Sequence, residues 1–161
     1  MTMDFELKLN AKTMGRFLLH YNYTKVTGLF GILLGLASLV AVIARWGFWN
    51  ANQRVVWIVI AVLFLIVQPV ALMRKGKRQM AQEEMQKPLF CHIDEEGFTV
   101  TQGEASSECQ WQNVRKIVFR KEDVYIFTSA IYATIITAES CDGRFDELVA
   151  FLKEKRGKKG K

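Results

Sequence analysis

VTGLFGILLGLASLVAVIA, residues 26–44, and VVWIVIAVLFLIVQPVALM, residues 55–73, decide how the rest of this chain is read. No charge lies between Lys25 and Arg45, and none between Arg54 and Arg74. Each run holds 19 residues. As a helix each spans ~28 Å at ~1.5 Å per residue, close to the ~30 Å hydrocarbon core of a bilayer. The first run has eleven Leu, Ile, Val or Phe and the second thirteen. At roughly −0.3 to −0.6 kcal/mol each on the insertion scale, both insert without help from a partner. The expectation is a two-helix transmembrane hairpin, since two uncharged runs of this length do not suit the core of a small soluble protein.

Four positions in the first run, Gly28, Gly31, Gly35 and Ser38, form a small-residue ridge down one side of the helix. Small side chains let backbones approach, so this ridge packs either on the second helix or on another copy of the chain, the latter making a homo-oligomer. In the linking segment 45–54, Trp46 and Trp49, with Trp57 just inside the next run, form an aromatic belt of interfacial anchors. Gln68 and Pro69 lie one turn before the second run ends. Pro69 has no N–H for the carbonyl of Leu65, which predicts a kink. Gln68 either marks a polar cavity or reaches water or a neighbouring helix.

Basic residues set the orientation. The segment between the runs has two, Arg45 and Arg54. Lys12, Arg16 and Lys25 precede the hairpin, and Arg74, Lys75, Lys77, Arg78 and Lys87 follow it. The positive-inside rule then puts both termini of the two-span hairpin in the cytoplasm. Arg74, Lys75, Lys77 and Arg78 serve either as a stop-transfer signal or as contacts for anionic lipid headgroups, at about 1 kcal/mol per residue near the surface.

The net charge of +6 is unevenly distributed. Residues 1–78 carry a net +8, residues 79–152 a net −7, and residues 153–161 a net +5. A nucleic-acid binder concentrates basic residues on its folded domain, and here that domain is acidic, so no nucleic-acid partner is expected. Three cysteines, Cys91, Cys109 and Cys141, lie far apart without C-x-x-C, as suits free thiols in a reduced compartment.

Ahead of the hairpin, Phe5, Leu7 and Leu9 alternate with Asp4, Glu6 and Lys8, the pattern of a half-buried strand over 3–9. The polar lead and the long apolar run do not suit a cleaved signal peptide, so an uncleaved start is expected. Met14, Phe17, Leu18 and Tyr21 then give an apolar helical stripe over 11–25, with Asn10 placed to cap it. That helix lies either in the headgroup region or against a soluble domain. After the basic cluster, residues 79–87 extend a helix to Pro88, completing a basic and polar connector over 74–87. Period-two alternation follows in short runs: 89–93, 98–101, 106–111, 114–121, 124–128 and 131–138. Close spacing with turns at Glu96-Gly97 and Gln102-Gly103 predicts an antiparallel meander. A terminal helix is predicted from Asp142 as cap through the stripe Phe145, Leu148, Val149 and Leu152 to Gly157, with a basic tail over 157–161.

This order of parts resembles the YcxB-like bacterial membrane proteins. The resemblance is carried by Trp111-Gln-Asn-Val114-Arg-Lys-Ile117, by Asp123-Val-Tyr125-Ile-Phe127, and by Ile135-Ile136 ahead of a helix ending Phe151-Leu152-Lys153-Glu154-Lys155. Thr137-Ala138-Glu139 depart from the proline and basic residue that often follow the isoleucine pair. The resemblance implies a small cytoplasmic, antiparallel pleckstrin-homology-like β barrel with a C-terminal helix over 88–156, and so a membrane α+β fold for the whole chain. Such a barrel has seven strands. Six follow the hairpin, so the strand at 3–9 is expected to supply the seventh from the other end of the chain.

Catalytic chemistry is not expected. His20 and His92 are the two histidines, and the 18- and 32-residue spacings of the cysteines match no zinc pattern. No nucleophile elbow, phosphate loop or dinucleotide fingerprint is present. The chain is expected to need no metal and no cofactor. The function expected is a non-enzymatic binding module held at the membrane, facing an unidentified protein partner. The alternatives are an accessory subunit of a transporter or envelope assembly acting through the hairpin, and anionic-lipid binding through the basic connector and tail.

Overall fold

The computed structural model describes residues 2–158; the end of the expected basic tail, 159–161, lies outside the described residues. The chain divides into two compact units, one of residues 11–80 and one that joins 1–10 to 81–161.

The β unit begins with β1 (Met3–Glu6) and resumes with β2 (Leu89–Ile93), β3 (Gly97–Gln102) and β4 (Ala105–Gln110). These four form one antiparallel sheet in the order β1-β2-β3-β4. A second sheet holds β5 (Lys116–Phe119), β6 (Asp123–Phe127) and β7 (Ala133–Thr137), also antiparallel. The seventh strand is thus the N-terminal one: Met3 faces Ile93, Phe5 faces Cys91, and Leu7 continues the pairing by donating its N–H to the carbonyl of Leu89 at 2.7 Å. It is shorter than the 3–9 alternation predicts. Both sheets are open, in place of one closed barrel.

Met3, Phe5 and Leu7 enter the same core as Ile93, Phe98, Ile117, Val124 and Ile126. Helix α6 (Phe145–Lys158) adds Leu148, Phe151 and Leu152, so Phe151 joins the stripe expected for it. Asp142 does not cap this helix. It adopts the left-handed conformation (φ 46°) and ends a 3-10 turn, Ala138–Cys141, with Gly143 (φ 86°) next. The departure at Thr137 has a local use, since its hydroxyl accepts the Ser140 N–H at 3.2 Å and caps that turn. Ser140 Oγ in turn accepts the Lys8 N–H at 2.8 Å, which joins the two chain ends again. Trp111 lies in a short 3-10 turn (Trp111–Asn113) where a strand was expected, and β4 is exposed along most of its length.

In the helical unit, α1 (Ala11–Tyr23) precedes α2 (Val26–Ala44), and α3 (Ala51–Val62) continues through a π-helical turn, Leu63–Val67, into α4 (Gln68–Met80). The second long helix therefore runs Ala51–Met80, 30 residues. It starts earlier than the apolar run because Asn50 and Gln53 form a capping box, each side chain bonding the other's backbone N–H. A break follows Met80, and α5 (Glu83–Gln86) is a single turn rather than a continuation. Helices α2 and α3–α4 are each long and apolar enough to cross a membrane.

Candidate functional site

The small-residue ridge of α2 is used inside the hairpin. A Cβ on Gly31 would lie 2.9 Å from the Phe64 ring, and one on Gly35 would lie 2.9 Å from Leu65 Cγ. Gly28 faces elsewhere: a Cβ there would strike the backbone carbonyl oxygen of Asn22, at the corner where α1 turns into α2. Ser38 is fully buried and returns its hydroxyl to the Leu34 carbonyl at 2.7 Å. Of the two expected packings, the ridge takes the intramolecular one for Gly31 and Gly35.

The π turn answers the proline. Without an N–H at Pro69, the backbone widens, and Gln68 donates its N–H to Leu63, five residues back. Gln68 Oε1 is buried without a hydrogen-bond partner and would lie 3.1 Å from a Cβ on Gly31. Of the alternatives raised for Gln68, the neighbouring helix is the one found.

Helix α1 packs on α4, within the helical unit. The sequence stripe named Met14, Phe17, Leu18 and Tyr21; the buried positions are Thr13, Gly15 and Phe17. Gly15 meets Gly76 of α4, where a Cβ on Gly76 would lie 2.8 Å from the Gly15 nitrogen. These two glycines escaped the sequence reading. Their signal was the cost of about 1 kcal/mol that a glycine carries in a helix interior, which calls for a packing reason.

At the turn between the long helices, Trp49 and Trp57 stack at 5.7 Å with 13° between planes. Trp46 is 55% exposed, with the Arg54 guanidinium 5.0 Å from its ring centre. At the other end of the second helix, Arg74, Lys75, Lys77 and Arg78 are all exposed. Three of them, Arg74, Lys75 and Arg78, rim a groove of about 590 Å³ whose floor is Ile66, Val67, Val70 and Ala71. Lys77 lies outside it.

In the β unit, burial and hydrogen bonds perturb several titratable groups. His92 Nδ1 lies 2.6 Å from Asp4 Oδ1 across the β1–β2 pair, and this hydrogen bond raises the imidazole pKa. Asp94 accepts the N–H groups of Gly97 and Glu96, each at 2.8 Å, which lowers its carboxyl pKa. Burial pushes the Cys91 thiol up to about 12 and the Cys141 thiol up to about 11, so both are protonated and poor nucleophiles. All three cysteines are free. Among the described residues no group of three or more His, Cys, Asp or Glu is arranged to hold a metal ion.

No protein-family model matches the chain. No curated protein matches it either. Among solved structures it is similar to the complex of the FERM and C-terminal domains of Drosophila Merlin, at 11% identity over 92% of this chain and 68% of that one. The TM-score is 0.26, a likeness that carries no argument about fold or function.

Proposed function

We propose that this chain is a non-enzymatic protein of the bacterial inner membrane, similar to the YcxB-like proteins, whose β unit is a cytoplasmic binding module for a protein partner near the inner leaflet. The observation that carries this is the pairing of β1 with β2 although residues 7–88 intervene. The helical segment leaves one folded sheet and returns to the neighbouring strand of the same sheet. If that segment enters a bilayer it crosses an even number of times, and two suitable helices are present. The charge bias then assigns both termini to the cytoplasm.

Insertion is supported by which side chains face outward. Phe30, Val40, Ile43, Val55, Val59 and Ile66 are all more than half exposed, while Gly31, Gly35 and Ser38 are buried. An apolar exterior around a small-residue interface is what lipid solvates and water does not. Seven strands in sheets of four and three, followed by a helix, support a pleckstrin-homology-like module. The groove beneath Arg74, Lys75 and Arg78 favours a second reading beside the first, contact with an anionic phospholipid, its apolar floor suiting an acyl chain and its rim a headgroup.

Cysteine accessibility in cells tests the topology. In a Cys109→Ser background, Gly47→Cys is labelled by an impermeant maleimide from the periplasmic side, and Glu104→Cys is labelled only after lysis. Labelling of both positions from the same side rejects the two-span arrangement. Photocrosslinking in cells from exposed positions of the β unit then tests the partner, and its absence rejects the module reading.

A further inference from the structure

We propose that the β unit holds an acidic peptide segment of its partner in a cleft between the start of β5 and the last turns of α6. This rests on the binding-module reading above. The cleft has a volume of about 200 Å³. Its floor is apolar: Val114 and Ile117 are buried, and Trp111 is held by Phe98 at 5.6 Å, by the edge of Phe151 at 6.0 Å, and by an Nε1 hydrogen bond to the Asp94 carbonyl at 3.0 Å.

The remaining lining is cationic. Arg115 and Lys116 come from the β5 side, Lys155 and Arg156 from α6, and the lining includes no carboxylate. Lys155 is already matched, since it bonds both the carboxylate and the backbone carbonyl of Glu95. Arg115, Lys116 and Arg156 are exposed, and among the described residues none has an ion-pair partner. This concentration is against the local trend, because residues 79–152 carry a net −7. The fold draws Arg115 and Lys116 out of that acidic stretch and sets them beside cations of the basic C-terminal segment.

Charge complementarity therefore selects an anionic occupant, and the two guanidinium groups favour carboxylates, which they bind in a bidentate fashion. Size selects a peptide. Pockets for whole small ligands run to roughly 300–1,000 Å³, so this cleft suits one apolar side chain with flanking carboxylates on its rim. A phospholipid with two acyl chains does not fit its floor.

The test uses the full-length protein in nanodiscs of neutral phosphatidylcholine. The probe is a labelled, capped peptide with one Phe flanked on both sides by Glu, compared with its Gln counterpart. The Glu peptide binds, added salt weakens it, and the Gln peptide binds roughly tenfold more weakly or worse. Arg115→Ala and Arg156→Ala each weaken the Glu peptide roughly tenfold. Arg115→Lys keeps the charge but not the bidentate fork, so it binds between Arg115→Ala and wild type, and Lys121→Glu, outside the cleft, changes little. Circular dichroism shows that each variant is folded. Equal binding of the two peptides, no binding of either, or indifference to Arg115 and Arg156 overturns the proposal. So does arginine-dependent binding of the full-length protein to phosphatidylserine vesicles in place of the Glu peptide. If the cleft fails while crosslinking from the β unit still traps a partner, the module reading stands and only this site falls.

Discussion

Single residues at close approaches decide how the helical unit packs. Gly15 and Gly76 meet, but they differ in what a methyl group would strike. A Cβ on Gly15 would lie 2.6 Å from the Sδ of Met73, the far end of a flexible side chain. On Gly76 it would strike the Gly15 backbone, which has no rotamer to yield. Gly76→Ala is therefore expected to destabilise the protein by about 1–3 kcal/mol. Gly15→Ala should fall within about 1 kcal/mol of wild type, because the gain in helix propensity offsets the Met73 adjustment. Thermal unfolding of both variants checks the asymmetry. A second residue-scale expectation concerns His92. Its pKa is raised in the fold by the Asp4 hydrogen bond, so protonation favours the folded state. That contribution is fully present below the unfolded pKa of about 6.5 and is lost as pH rises through the raised folded value. Urea titrations of wild type and Asp4→Asn should differ at low pH and converge above that value.

At the scale of elements, local signals were strong where they were backbone signals. The N-x-x-Q at Asn50 to Gln53 forms a capping box and starts the second helix at Ala51, ahead of the first apolar residue of the run. Asn50→Ala is expected to cost about 1 kcal/mol, measurable as a lowered unfolding midpoint. Pro69 announced a disturbance, and the disturbance is a π turn at Leu63–Val67, placed in the preceding turn because the missing N–H affects the carbonyls before it. Strand periodicity located β2, β3, β6 and β7 to within a few residues. It located β4 as closely but overran it at Trp111, and it did not reveal that β4 is exposed along most of its length, because alternation records which side chains are apolar and not whether another layer covers them. In β6 every residue is buried, the consequence of a central position that no local pattern reveals.

For the whole molecule, the decisive contact lies between the two ends of the chain. Phe5 is 4% exposed and shares a core with residues from both sheets and α6. Phe5→Ala should cost about 3–5 kcal/mol of β-unit stability. Residues 81–161 alone lack β1 and should unfold at lower urea than the same unit with β1 restored. Because Leu7 already bonds Leu89, a short linker from residue 10 to residue 81 should close the sheet without the helices. That fusion is expected to be folded in the absence of detergent. If amides of residues 4–6 exchange freely in it, β1 is not a structural strand of the unit.

The sequence by itself determined the composition of the elements: two long apolar helices, a basic exit, a run of short strands and a terminal helix. Each follows from hydrophobic period and end chemistry, which act over a few residues. It also supplied the candidates Gly31, Gly35 and Arg74, since small and basic side chains stand out in an apolar run. Tertiary structure alone decided which surfaces meet. It set Gly31 and Gly35 against Phe64 and Leu65, Gly15 against Gly76, and Arg115 beside Arg156. Those pairings bring together residues tens of positions apart, and their physical cause is complementarity of shape in three dimensions, which at the cleft places like charges together and to which no local period corresponds.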